Sequence, residues 1–284
     1  MIERLREAVG RALGAEVRGG SPVAGGDVNR AFRFDVVGIG PVFVKTHEHP
    51  PAGLYAAEAD GLALLRRTGA IRVPEVLAVG EGDVSFLALE WVEAGRKAPD
   101  FDERFGRALA RMHASRAEAF GHARDNFIGP LPQPNAWAED WPTFYRDRRL
   151  APMIAAASGM LDRETRRALD ALLLRVDELA RTDEPPSVIH GDLWSGNVMS
   201  DAQGMPRLVD PAAYAGAREV DLAMLQLFGA PSARFFAAYD EVLPREPGHE
   251  RRVPLYQLYF LLLHVALFGT SYLSGVKRVL GALR

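Results

Sequence analysis

The chain has no cysteine among its 284 residues. Disulfides and thiolate-bound metals are therefore excluded, and the composition suits a reducing, cytoplasmic setting. Positive charge is not in excess: the formal net charge is −3. A binder of nucleic acid or anionic membrane usually carries a basic surplus, so neither partner is expected. The N-terminal stretch MIERLREAVGRALG lacks the unbroken apolar core of a signal peptide and reads as an amphipathic helix. Charge is missing altogether from Leu255 to Val276, a run about long enough to span a bilayer. It carries Gln257, His264, Thr270 and Ser271, two glycines and three tyrosines, and is expected to be a buried helix. There is no internal repeat, no low-complexity segment and no GxGxxG motif.

What is present falls into two parts. In the first third, short β-like runs alternate with Gly-rich turns. VAGGDVNRAFRF predicts two strands about a Gly-Gly turn, and Val36-Val37 and Val42-Phe43-Val44 flank the turn GIGP as a hairpin. Leu54 to Arg67 has the apolar spacing of a helix. Val76 to Val79 and Ser85 to Val92 predict two more strands. Five strands and one inserted helix make a small α+β lobe over residues 1–93. Gly and Pro between Glu93 and Pro99 mark a linker. A larger, mainly helical lobe is expected over residues 94–284. Its helices are predicted at Phe105 to His113, Trp141 to Ile154 and Asp162 to Arg181, with a Pro- and Gly-rich excursion from Gly121 to Asn135.

The residues able to do chemistry lie in both parts. His190-Gly191-Asp192-Leu193-Trp194-Ser195-Gly196-Asn197 is a loop after the strand-like Val188-Ile189, and Asp210 follows the apolar run Arg207-Leu208-Val209. An Asp that orients an attacking hydroxyl, then an Asn and a second Asp to hold magnesium, is the order used in kinase-like phosphoryl transfer. Asp192 is the candidate base, and Asn197 and Asp210 are the candidate Mg2+ ligands, since hard oxygen donors suit that ion. Lys45 ends the strand PVFVK and Glu58 lies on the next helix, the pairing that steadies a lysine on nucleotide phosphates. Gly25 and Gly26 would let backbone N–H groups approach those phosphates. Backbone groups of Glu90 and Val92 would meet an adenine edge. These residues together imply ATP as cosubstrate. Trp194 reads equally as a buried core residue or as a ring that stacks on a sugar-like acceptor beside Asp192, and His190 is expected to support the loop.

HGDLWSGN followed by LVDPAAYAGAREVDLAMLQLFG resembles the fructosamine kinase (ketosamine kinase) family, a branch near aminoglycoside phosphotransferases and choline kinases. The resemblance spans nearly the whole chain, including GGDVNRAFRF, VFVK and FGHARDNFIGPLPQPNAWAEDWPTFYRDRRL. It implies a bilobal protein-kinase-like α+β fold, with a five-stranded antiparallel sheet in the small lobe. It also implies ATP- and Mg2+-dependent phosphorylation at O3 of a ketosamine, on a small amine or a glycated lysine, as a deglycation repair. Trp194 and His264 would then contact the substrate, and Asp221 would support the catalytic loop. One departure is the missing cysteine: some relatives have one in the nucleotide-covering loop, and here thiol-based control at that loop is excluded. A protein kinase fits poorly, because only eight residues separate Asp210 from Glu219 and neither DFG nor APE occurs. The rival readings are a kinase for an aminoglycoside or amino alcohol, and a nucleotide-binding module without catalysis.

Overall fold

The computed structural model describes residues 2–23, 30–229 and 231–283. The first part of the chain contains α1 (Ile2–Leu13), β1 (Val17–Val23), β2 (Arg30–Val36), β3 (Gly40–Thr46), α2 (Leu54–Arg67), β4 (Val76–Gly80) and β5 (Phe86–Glu90). All five strands join one antiparallel sheet in the order β1-β2-β3-β5-β4. Successive side chains of a strand point to opposite faces. In β3 this sends Val42 and Val44 to one side and Phe43 and Lys45 to the other. In β5, Phe86 and Ala88 join the first side, while Leu87 and Leu89 join the second.

Each face has its own helix. Leu5 and Val9 of α1 are one helical turn apart and close over Val42, Val44 and Phe86. The opposite face packs against Leu54, Leu62 and Leu65 of α2, which recur at helical spacing. The sequence pattern places one helix inside this sheet; the amphipathic N-terminal segment supplies the second. The hairpin turn predicted at Gly25 and Gly26 lies outside the described residues.

The remainder is mainly helical. It begins with α3 (Phe101–His113), whose Phe105, Leu109 and Met112 are buried, and continues into the short hairpin β6 (Asn126–Ile128) and β7 (Leu131–Gln133). This hairpin lies in the stretch expected to be irregular. The helix predicted from Trp141 is present but not uniform. It runs as α4 (Trp141–Tyr145), a π-turn over Arg146–Leu150, and α5 (Ala151–Ala157). The segment expected as one helix from Asp162 divides into α6 (Arg163–Leu173) and α7 (Val176–Leu179). At the break, Arg175 leaves the helical path and its side chain donates to the Leu283 carbonyl, 2.8 Å away.

Two short strand pairs then carry the candidate site. β8 (Ser187–Ile189) pairs antiparallel with β11 (Tyr214–Gly216), and β9 (Val198–Ser200) pairs with β10 (Pro206–Leu208). The chain closes with α8 (Glu219–Leu227), α9 (Ala233–Val242), α10 (His249–Phe268) and α11 (Leu273–Ala282). The first half of the uncharged run, Leu255 to Val265, is largely buried as expected, but Gly269 ends α10, at φ 84°, before α11 begins, and Phe268, Thr270, Ser271 and Ser274 are exposed. Leu258, Tyr259, Phe260 and Leu262 of α10 are core residues. Among the described residues, no helix is long and apolar enough to cross a membrane.

Candidate active site

The β8–β11 pairing brings two distant loops together. Ile189 opposes Tyr214, so the loop that starts at His190 lies beside the segment that follows Asp210. The approach is close enough to require glycine at 191. Its φ is 82°, and a Cβ there would stand 2.2 Å from the Ala212 carbonyl oxygen. Asp210 also has a left-handed backbone, at φ 53°, which Asp tolerates better than most residues.

Asp221 on α8 holds the start of this loop. Its carboxylate accepts from the backbone N–H of His190 at 2.7 Å and of Gly191 at 2.9 Å, and it meets His113 Nε2 at 3.1 Å. His190 contributes as a spacer. Its Nε2 donates to the Val209 carbonyl at 2.9 Å, while its Nδ1 accepts from the Asp192 N–H at 3.3 Å. Both residues thus act on the loop backbone.

The buried His113 gives the fold a dependence on pH. Desolvation holds its imidazole below the ordinary histidine range, even though Asp221 pulls upward. The unfolded chain takes up this proton near pH 6.5 and the folded chain resists it. Stability therefore falls as pH drops below about 6.5, by up to ~1.4 kcal/mol per pH unit for this group. Denaturant unfolding between pH 5 and 7.5 should show a shallower acid slope for His113→Gln than for wild type. Parallel slopes would remove His113 as the source.

A cleft of about 960 Å³ opens between the sheet and the helices. Lys45, Glu58, Asp192, Trp194, Asn197 and Asp210 all line it, as does His264. Lys45 Nζ lies 2.5 Å from Glu58 Oε1 and 2.9 Å from Asp210 Oδ1. Burial opposes the lysine charge, but the Asp210 and Glu58 carboxylates outweigh it and hold the ammonium well above the usual range. The same ammonium keeps the Asp210 carboxyl below its ordinary value. Asn197 Nδ2 donates to the Asp192 carbonyl at 2.8 Å and lies 3.4 Å from both Asp192 Oδ2 and the Asp210 carbonyl.

Composition alone makes Asp192 a weak base. In the folded chain, burial and then the Asp210 and Asp221 carboxylates push it up to about 7. A carboxylate with a pKa near the operating pH is a better proton acceptor. Beside it, Asn197 and Asp210 offer a neutral and a charged oxygen. Magnesium commonly takes one or two protein carboxylates and completes its shell with water and nucleotide phosphates, so this donor pair fits it. Among the described residues, no group of three or more His, Asp or Glu side chains could hold a metal by itself. Replacing Lys45 by Met removes the buried ammonium and leaves Glu58 buried without it; if Lys45 holds nucleotide phosphates, the site loses that group. We expect kcat/KM for nucleotide to fall by roughly 10²-fold. Steady-state kinetics with varied nucleotide checks this, and unchanged kinetics would exclude Lys45 from the site.

One side of the cleft is aromatic. Trp194 is 42% exposed and faces the cleft, so it is not a core residue. His264 is half-buried, with Nδ1 donating to the Phe260 carbonyl at 2.7 Å. Its ring lies 4.5 Å from Phe228 and 4.8 Å from Tyr272, and burial keeps it below the usual histidine range. Glu90 and Val92 are not among the cleft-lining residues. The Glu90 carboxylate instead receives Arg207 at 3.2 Å and the Glu75 N–H at 3.2 Å. Gly25 and Gly26 fall outside the described residues.

Sequence reasoning missed the wall formed by Asn126, Phe127, Ile128 and Gly129, and the rings of Phe228, Phe268 and Tyr272. Phe268 and Tyr272 follow His264 at intervals of four, which in an uncharged run looks the same as core packing.

The sequence model of the fructosamine kinase family matches residues 1–283. A protein of Enterococcus faecium named "Probable ketoamine kinase" is 40% identical over 265 residues, covering 91% of this chain and 93% of its own length. A chloroplastic protein-ribulosamine 3-kinase of Oryza sativa subsp. indica is 35% identical, covering 93% and 78%. The crystal structure described as a fructosamine-3-kinase from Thermobifida fusca superposes with a TM-score of 0.90 at 39% identity, covering 98% of each chain.

Proposed function

The chain belongs to the fructosamine kinase family, and from that membership and the cleft geometry we propose that it transfers the terminal phosphoryl group of ATP to O3 of a ketosamine. Its fold is protein-kinase-like and its activity is that of a ketoamine phosphotransferase. The finer assignments rest on a single observation: Lys45, Glu58, Asp192, Asn197 and Asp210, drawn from four separate segments, converge on one cleft that Trp194 and His264 also line.

In this reading Lys45 holds the phosphates and Glu58 fixes its position. Glu90 and Val92 are assigned to the adenine side, and Gly25 and Gly26 to the phosphate-covering turn. Asn197 and Asp210 hold Mg2+, which neutralises charge on the phosphates. Asp192 orients the acceptor hydroxyl and takes its proton late, as suits a loose transition state. The exposed ring of Trp194 stacks on the sugar, and the neutral His264 face meets the amine-bearing end, which belongs to a small ketosamine or a glycated lysine. The two lobes divide at residues 93 and 94. The role is deglycation repair in the cytoplasm, which a cysteine-free chain suits.

The test is a substrate panel. Ribulose-, erythrulose- and fructose-lysine are offered with ATP and Mg2+, with an aminoglycoside and choline as controls. ATP-dependent phosphate incorporation into the ketosamines supports the assignment. Incorporation only into a control points to the other small-molecule kinases, and nucleotide binding without turnover points to a non-catalytic module.

A further inference from the structure

Arg149 is 1% exposed, yet no carboxylate among the described residues pairs with it. Its guanidinium meets only neutral oxygens. Nη1 donates to the Pro134 carbonyl at 2.6 Å and the Arg148 carbonyl at 2.8 Å, and Nη2 donates to Asn135 Oδ1 at 2.6 Å. The planar group also lies 3.9 Å from the Tyr214 ring and 4.7 Å from the Phe144 ring. Burying a charge without a counter-charge is costly, and a hydrophobic side chain would fill the space at lower cost. The local backbone departs from α-helix here as well, because Arg149 lies in the π-turn over Arg146–Leu150. Such turns are frequent at functional sites.

The contacts show what the guanidinium organises. Pro134 and Asn135 close the excursion that begins at Gly121. Asn135 passes the constraint backward: its N–H donates to Asp125 Oδ1 at 2.7 Å, its Nδ2 to the Arg124 carbonyl at 3.1 Å, and its carbonyl accepts from the His122 N–H at 2.9 Å. Between these anchors stands the β6–β7 hairpin, whose Asn126 to Gly129 form a wall of the cleft. The other face of the guanidinium rests on Tyr214 in β11, the strand that pairs with Ile189 just before the catalytic loop. One side chain therefore joins the hairpin wall to the strand pair that sets Asp192.

We propose that Arg149 is a positioning residue that fixes the β6–β7 wall of the cleft that Asp192 also lines, and so sets the fit of the phosphoryl acceptor. This rests on the assignment of that side of the cleft to the ketosamine. A planar fork is required, because two oxygens on successive residues are held while the flat face stacks on a ring; lysine offers neither.

The experiment compares wild type with Arg149→Met, Arg149→Lys and Asn135→Ala in the full chain. For both Arg149 variants, kcat/KM for ketosamine is expected to fall by ~10²-fold while KM for ATP stays unchanged. Lysine should not rescue the defect. Asn135→Ala keeps the buried arginine and should give the same split with a smaller effect. Hydrogen exchange supplies a readout independent of the acceptor. Amides of residues 121–135 should lose protection in the variants, while those of the five-stranded sheet should not. Unchanged protection of 121–135 would overturn the proposal, as would ketosamine and ATP parameters that worsen together. Absence of wild-type turnover on every ketosamine would instead overturn the functional assignment, and the exchange data would still decide the role of Arg149.

Discussion

Replacing Asp192 by Asn is expected to lower kcat by ~10²–10⁴-fold, the range typical of losing a positioned base, with nucleotide affinity unchanged. The substitution isolates proton transfer. Asn has nearly the same shape, and the strongest contact that Asn197 makes to this residue goes to its backbone carbonyl at 2.8 Å. His190 bonds to its backbone N–H. The loop should therefore keep its form. What disappears is the negative oxygen that, in the proposed role, would align and deprotonate the acceptor hydroxyl. Lys45 and Asp210, which touch each other and make no contact through the 192 side chain, would remain to bind nucleotide in the proposed role. Single-turnover phosphate incorporation measures the chemical step, and a fluorescent nucleotide titration measures affinity. Turnover close to wild type would remove Asp192 from the reaction.

Asp221→Ala should act on the fold first and on turnover as a consequence. The carboxylate is fully buried and receives two backbone N–H groups and one imidazole. Alanine leaves all three without an acceptor in a dry interior, and removing one partner from such a buried cluster typically costs about 3–5 kcal/mol. That is a large part of the stability of an ordinary domain. Urea unfolding at neutral pH should show a correspondingly lower midpoint with an unchanged slope. Surviving folded protein should also turn over poorly, because the His190 and Gly191 amides set the path into Asp192. A stability loss below about 1 kcal/mol would mean that the loop is held by other contacts.

The residues with chemistry could be read because their spacing is tied to local structure. Lys45 sits at a strand position whose alternation sends it to the cleft side with Phe43. Asp192 and Asn197 share one loop, and Asp210 ends a short apolar run. The wall of the cleft was harder to see. A three-residue strand carries almost no periodic signal, and β7 has Pro132 at its centre, which argues against a strand. Nothing in the sequence marks the π-turn or the break between α6 and α7, since both follow from contacts made far along the chain. Trp194 could be read as core or substrate residue by composition alone. Its exposure, set by packing around the loop, removes the core reading.

Gly191 leads to a different kind of consequence. Its left-handed backbone lies against the Ala212 carbonyl, and even one methyl group would drive the two loops apart. In an evolving population this codon has no usable neighbours. Where most surface sites can drift through several residues, this one is a closed door in sequence space. A library saturated at position 191 and selected for activity should return glycine alone.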